Sequence, residues 1–376
     1  MINGEKIIIF STMDFYDLPT RKQKIALRLS ENNKVLYLEP PETYLSFFAG
    51  KKHKNNKKIK INDSLYVLKL PYILPFGLRF WIINLLNSIL IERYLNKWLK
   101  KTNFNDYILW LYLTDFPYLY KKLKPKFVVY DCVDDHSSYG GLRSKSFVNK
   151  CERIVAKNSN IIFTTTEELK NKLYKYNSNI YVVSNGVDID FFKVENVHLL
   201  DNLKEIKKPI IGYFGAIKNW FDASVVSLAA KEFKDVSFVL VGPYDENIKD
   251  KLRELKNVYL LGSKPYDLAP SYIYAFDVCL IPFIINELTL NVSPLKLYEY
   301  FSFGKPVVTI PIRELLRYSN LLYIYSNKSE FIDCIDKALK ENDISLKEKR
   351  SLIAKENSWN EKFNFMFDKI SSDLNS

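Results

Sequence analysis

The amino-acid sequence predicts an α/β chain of two Rossmann-like doubly wound domains facing each other across a cleft. Three observations carry this expectation. Short apolar runs without alternation recur along the chain, as parallel strands covered on both faces require. Helical segments separate them, so the strand–helix–strand unit repeats. The chain has 376 residues, against roughly 100–200 for one domain. With 47% hydrophobic and 26% charged residues, the composition excludes a disordered or fibrous protein. Only 11 glycines argue against repeats built on Gly-rich turns, and no fixed-period repeat is present.

Taken in order, Lys6–Ser11 reads as the first strand, 20–30 as a helix, and Lys34–Pro40 as the second strand. Tyr107–Leu113, Phe127–Asp131, Asn160–Thr165 and Ile180–Ser184 continue the first domain, expected over residues 1–195. The polar stretch Asn196–Pro209 reads as a hinge. Strands at Ile210–Phe214, Ser237–Val241, Val258–Leu261, Asp277–Phe283, Pro306–Ile310 and Leu321–Tyr325 then make a second domain over 205–355. Helices are expected between them near Ser224–Phe233, Asn247–Leu255, Asp267–Ala275, Pro294–Phe303 and Ser329–Lys340. The remaining residues, 356–376, read as a helix packing back towards the first domain.

The net charge of +12 is unevenly placed: residues 1–200 carry all of it, and 201–376 are neutral. Residues 51–100 alone hold 11 basic and 2 acidic side chains, including the run KKHKNNKKIK at 51–60. Close by, 80–101 combines Trp81, Leu85, Leu86, Leu90, Tyr94 and Trp98 with a basic end. Cations beside aromatic and aliphatic bulk suit an anionic membrane surface. A core helix flanked by a solvated lysine loop is the alternative. The longest apolar run there, Phe80–Ile91, is too short for the ~20 residues of a membrane span. No signal peptide is expected, since the first residues lack a basic-then-apolar pattern. Cys132, Cys151, Cys279 and Cys334 form no metal or disulfide pattern and fit a reducing compartment. The expected location is cytoplasmic, peripheral at the inner face of the membrane.

The strongest chemical signal is NVSPLKLYEYFSFGKPVV at 291–308. Ser293 is suited to cap a helix with Pro294 at its first position. Free N–H groups and the positive dipole end there suit a diphosphate. Lys296 stands in the first turn, where a cation disfavours the helix itself. Glu299 follows one turn on, placed to accept ribose hydroxyls. The same residues would also suit a salt-bridged surface helix.

The segment SPLKLYEYFSFGKPVV resembles the donor-site helix of GT-B glycosyltransferases, which use nucleotide sugars. GYFGAI at 212–217, FVLVGP at 238–243, NVYLLGSKPYDLAPSYIYAFDVCLIPF at 257–283, SNGVD at 184–188 and NSW at 357–359 extend the resemblance in order. It implies Lys296 at the diphosphate, Glu299 at the ribose, Gly215 under the phosphates, and the base near 263–266, with Tyr266 among the donor-binding residues. Many retaining members carry two glutamates eight positions apart; Asn291 stands where the first would be, and Lys218 only partly replaces a basic pair. The pattern is closer to bacterial envelope-polysaccharide transferases of the teichuronic-acid type, and more distantly similar to the inverting xanthan glucuronosyltransferase. Inverting transfer is therefore the expectation.

In the first domain, YDCVDDHSSYGG at 130–141 follows a strand end, where α/β sheets bind ligands. Asp134 and Asp135 repel each other, which would raise one towards a usable base, and His136 is placed to share the proton. A capped turn is the alternative. The segment YDCVDD also resembles the base-bearing segment of those transferases. After the first strand, Phe15 and Tyr16 are candidates to stack on an acceptor sugar, and Arg21 to meet its phosphate; they would serve equally as loop anchors. Asp188-Ile189-Asp190 spells the metal-binding DxD of the other glycosyltransferase fold, but it lies at the hinge before a second complete domain, so no metal or other cofactor is expected.

The sequence thus points to a hexosyltransferase-type enzyme. It would move a sugar from a nucleoside diphosphate, expected to be UDP and including uronic acids, to a lipid-linked or growing saccharide of an envelope polysaccharide. A nucleotide-sugar epimerase or hydrolase on the same domains is one rival. A basic nucleic-acid-binding protein is the other, disfavoured because no nucleic-acid fold surrounds the lysine run.

Overall fold

In the computed structural model the chain forms two compact units, Met1–Ser184 with Phe363–Ser376, and Asn185–Lys362. The residues described are 2–17, 20–48, 59–138, 143–198, 200–284, 286, 289 and 295–375.

The first unit contains β1 (Lys6–Phe10), β2 (Lys34–Glu39), β3 (Ile59–Lys60), β4 (Leu65–Lys69), β5 (Tyr107–Leu111), β6 (Phe127–Cys132), β7 (Ile161–Thr164) and β8 (Ile180–Val182). They lie in the order β3-β4-β2-β1-β5-β6-β7-β8. Every pairing is parallel except β3 with β4. Ile7, Ile8, Ile9 and Phe10 are all fully buried. Alternate residues of β1 enter opposite faces, so both sides of the sheet must be covered, and the continuous apolar run follows from that. The chain order reverses between β1 and β5, which places a ligand crevice beyond their carboxyl ends.

The second unit contains β9 (Ile210–Phe214), β10 (Ser237–Val241), β11 (Val258–Gly262), β12 (Val278–Ile281), β13 (Val307–Thr309) and β14 (Tyr323–Ile324). Their order is β11-β10-β9-β12-β13-β14, parallel throughout. Here the reversal falls between β9 and β12.

Three features differ from the sequence expectation. β3 and β4 were not expected: Leu65–Lys69 is short and follows the lysine run, and its pairing with β2 supplies what local pattern lacks. The helix Ile344–Glu356 was also not expected. It buries little besides Arg350 and Ala354, with Arg350 donating to the Leu321 carbonyl at 3.0 Å and to Glu341 at 2.6 Å. The division between units falls at Ser184 rather than 195, and the expected hinge carries a short helix, Asp201–Lys204. The helix Trp359–Asn375 starts in the second unit and ends in the first, where Met366, Phe367 and Ile370 are buried.

Candidate active site

In the second unit, the backbone turns sharply beyond β9 and β10 at Gly215 (φ 149°) and Gly242 (φ 146°). A Cβ on Gly242 would stand 1.9 Å from the Gly215 carbonyl oxygen, and one on Gly215 would stand 2.2 Å from Cε of Lys296. Glycine at both positions lets the loops close and leaves room for the lysine. Lys296 lies in the first turn of the helix Leu295–Ser302, with Nζ 5.4 Å from the ring centroid of Tyr213. Burial pushes its pKa below the usual lysine value, while Glu299 pulls it upward. Glu299 is buried and accepts a 2.7 Å hydrogen bond from the Tyr266 hydroxyl. Tyr266 in turn stacks on Phe191, with ring centroids 5.4 Å apart at 15°. Burial and the neighbouring Glu299 hold the Tyr266 hydroxyl far above its ordinary pKa, so it remains a donor that fixes the carboxylate.

The structure therefore brings together Gly215, Lys296, Glu299 and Tyr266. Lys218 stands in a 2.6 Å ion pair with Asp245. Ser293 and Pro294, like Asn291, lie outside the described residues. Asp188 accepts from the Phe191 N–H at 3.1 Å and caps a turn. A desolvated ammonium at a glycine turn can neutralise phosphate, and an oriented carboxylate can take paired hydroxyls.

In the first unit, a cavity of about 680 Å³ opens beyond the carboxyl ends of the strands. Its walls come from Thr12 and Met13 after β1, Pro40 and Pro41 after β2, the 73–78 loop after β4, Leu113, Asp115 and Phe116 after β5, and Asp134 and His136 after β6. Lys22 and Arg143 complete it. Lys22 is buried over the Tyr112 ring at 5.6 Å; burial lowers its pKa, while Asp134 and Asp131 oppose the shift. Asn84 donates to the Asp115 carbonyl at 2.7 Å. Asn87 exchanges hydrogen bonds with the backbone of Leu74 at 2.8 and 2.9 Å, so one helix, Trp81–Lys101, fixes two of the walls.

Asp134 and His136 thus share a cavity wall, but Asp135 does not join them. Its carboxylate accepts from the Ser137 N–H at 3.0 Å, the Ser137 hydroxyl at 2.8 Å and Lys172 at 2.8 Å. Lys172 also reaches Glu152 at 2.7 Å. Burial alone would raise the Asp135 pKa, but Lys172 and Ser137 outweigh it and hold the group below its usual value. Asp135 caps the turn at Ser137 and does not line the cavity.

Arg21 is also corrected. It is buried, pairs with Asp131 through 2.9 and 3.0 Å contacts, and donates to the Val183 carbonyl at 2.6 Å and to Met366 Sδ at 3.4 Å. It ties β6, the end of β8 and the last helix together and, with the Ser184 carbonyl also accepting at 3.3 Å, has no donor left for an acceptor phosphate; the cations on the cavity wall are Lys22 and Arg143. Phe15 anchors its loop, its N–H donating to Glu39 at 2.8 Å and its ring packing edge-on to Tyr37. Tyr16 remains 67% exposed. Neither ring lines the cavity.

Asp115, Arg143, Lys22 and Gly242 were missed. Asp115 and Gly242 each follow the carboxyl end of a parallel strand, the same signal that singled out 130–141.

Two parallel-sheet α/β units, each with its polar groups gathered beyond the strand ends, make up the GT-B fold. Residues 208–341 match the family described as glycosyl transferases group 1. The chain is similar to TuaH of Bacillus subtilis (strain 168), named for a glycosyltransferase role in teichuronic acid biosynthesis. The two are 27% identical over 274 residues, which cover 67% of this chain and 68% of TuaH. Among solved structures, Anabaena HepE in complex with UDP and glucose matches with a TM-score of 0.68 at 14% identity, over 98% of this chain and 100% of that one. The E. coli trehalose-6-phosphate structure bound with UDP-2-fluoro glucose matches at 0.72 and 13% identity, over 97% and 99%. Sucrose-phosphate synthase from Thermosynechococcus elongatus matches at 0.72 and 12% identity, over 98% of each chain.

Proposed function

We propose that this glycosyltransferase moves a sugar from a UDP-linked donor to a lipid-linked or growing saccharide of an envelope polysaccharide, with inversion, at an anionic membrane surface. The observation that carries the reading is the set Gly215, Lys296, Glu299 and Tyr266 in the second unit. Lys296 neutralises the diphosphate as it leaves and Glu299 takes the ribose hydroxyls, so the departing charge needs no metal ion. Asp134, on the cavity wall of the first unit, accepts the proton of the acceptor hydroxyl as the new glycosidic bond forms. The likeness to TuaH supports the envelope acceptor, and UDP in the HepE complex supports the nucleotide.

The membrane surface is supported by the helix Trp81–Lys101. Its first turns are inverted: Asn84, Asn87 and Ser88 are buried, while Trp81, Ile82, Leu86 and Ile89 are exposed. Phe48, Leu74, Phe76 and Phe80 are exposed as well. Apolar side chains facing outward while amides face inward mark a surface with a partner. Among the described residues no helix is long and apolar enough to cross a membrane. The lysine run at 51–58 lies outside the described residues.

A thermal-shift screen of UDP-glucose, UDP-glucuronic acid, UDP-N-acetylglucosamine and GDP-mannose tests the donor, since the true ligand raises apparent stability by mass action. A shift confined to UDP-sugars is expected. D134N should keep that shift and lose turnover by roughly 10²–10⁴-fold. Full turnover in D134N would remove Asp134 from the mechanism, and no shift with any UDP-sugar would remove the donor assignment.

A further inference from the structure

Asp115 stands beyond the end of β5 with its side chain only 10% exposed, and it lines the cavity of the first unit. Among the described residues, no group donates a hydrogen bond to its carboxylate. Arg143 Nη2 comes no nearer than 4.0 Å to Oδ2, beyond hydrogen-bond reach. Buried carboxylates are ordinarily satisfied, because desolvation without donors is costly. Accordingly burial raises the pKa of Asp115, with Arg143 and His136 opposing. Tyr120 and Cys151 also lie within its field. Water, or a ligand that enters the cavity, supplies the donors the protein does not.

The rest of the lining says what that ligand is. Arg143 lines the same cavity with donors to offer, and Leu74, Phe76, Leu113 and Phe116 supply an apolar wall. A sugar ring offers both halves of this chemistry: hydroxyls on its edge and C–H groups on its face. We propose that Asp115 and Arg143 clamp the acceptor's terminal sugar, Asp115 accepting a hydrogen bond from one hydroxyl and Arg143 donating to its neighbour, while the apolar wall takes the ring face and the hydrocarbon beyond it. The clamp rests on reading this cavity as the acceptor site. It is a binding role, separate from proton removal by Asp134, and it needs no donor to be observed.

Isothermal titration of the full chain with octyl β-D-glucopyranoside and octyl β-D-glucosiduronic acid, below their micelle concentrations, tests it, with the sugarless octyl tri(ethylene glycol) ether as control. Saturable binding of at least one glycoside is expected, at least 10-fold tighter than the ether. D115L and R143Q should each weaken that glycoside at least 10-fold and leave the ether unchanged. D115L should unfold no earlier than the wild type, because it removes a buried charge without donors. The clamp is overturned if neither glycoside binds the wild type, if both variants bind it normally, or if glycoside and ether weaken together. A drop of the unfolding midpoint in both variants would also overturn it, by showing that the pair serves the fold. Failure of the nucleotide-sugar screen would leave this binding result standing.

Discussion

In the second unit the charged groups are already held. Glu299 takes the Tyr266 hydroxyl at 2.7 Å, and Lys296 lies over Tyr213 above a glycine turn. In the first unit they are gathered but loosely held: Asp115 and Arg143 stand 4.0 Å apart, on walls drawn from strand ends between Thr12 and His136. The two arrangements suit the different tasks proposed for them. A diphosphate presents the same charges in every donor, so groups fixed beforehand avoid reorganisation as charge develops. An acceptor differs from one enzyme to the next, and a roomy cavity with unsatisfied polar groups can be tuned to it by changing loops.

The contrast can be broken most severely at Lys296. K296A should lower turnover by roughly 10²–10³-fold, the usual cost of losing one preorganised electrostatic contact, with little change in glycoside binding to the first unit; steady-state kinetics beside titration checks both. Turnover within a few-fold of wild type would mean the lysine is a surface cation after all. A smaller effect is expected from G215A. The added methyl would meet Lys296 and the residue would be held at φ 149°, costing about 1–3 kcal/mol of stability together with donor affinity. Thermal unfolding and UDP titration measure the two, and an unchanged UDP affinity would show that close approach of the lysine to the loop is not required.

The smallest effect belongs to D135N, which sharpens the comparison inside the first unit. Because Lys172 and Ser137 hold the Asp135 pKa down, its stabilisation is present above the unfolded value near 4 and is lost as pH falls through the lower folded value. Wild type should exceed D135N by about 1 kcal/mol at pH 7, and their denaturation curves should converge in acid. A constant gap across that range would remove the ion pair as its source.

Much of the architecture was legible because buried parallel strands write themselves as apolar runs: Ile210–Phe214 and Ser237–Val241 appear with the bounds expected of them. β4 was not, since its five residues depend on β2 for their identity as a strand. The pairing of Lys296 with Glu299 was legible because the two sit one turn apart in a single helical segment. Tyr266 was named as a contact for the nucleotide, yet its hydroxyl is spent on Glu299, a relation across 33 residues that spacing cannot express. Asp134 and Asp135 are adjacent and identical in sequence; Ser137, two residues on, and Lys172, 37 residues away, make one a turn cap while the other lines the cavity. Arg21 misled for a similar reason, because its partner Asp131 lies 110 residues on.

The inverted first turns of the helix Trp81–Lys101 also bear on how the protein behaves in dilute solution. Rings and aliphatic chains that face outward will find one another when no bilayer is offered. In detergent-free buffer the molecule is then expected to self-associate as its concentration rises, and mild surfactant is expected to disperse it.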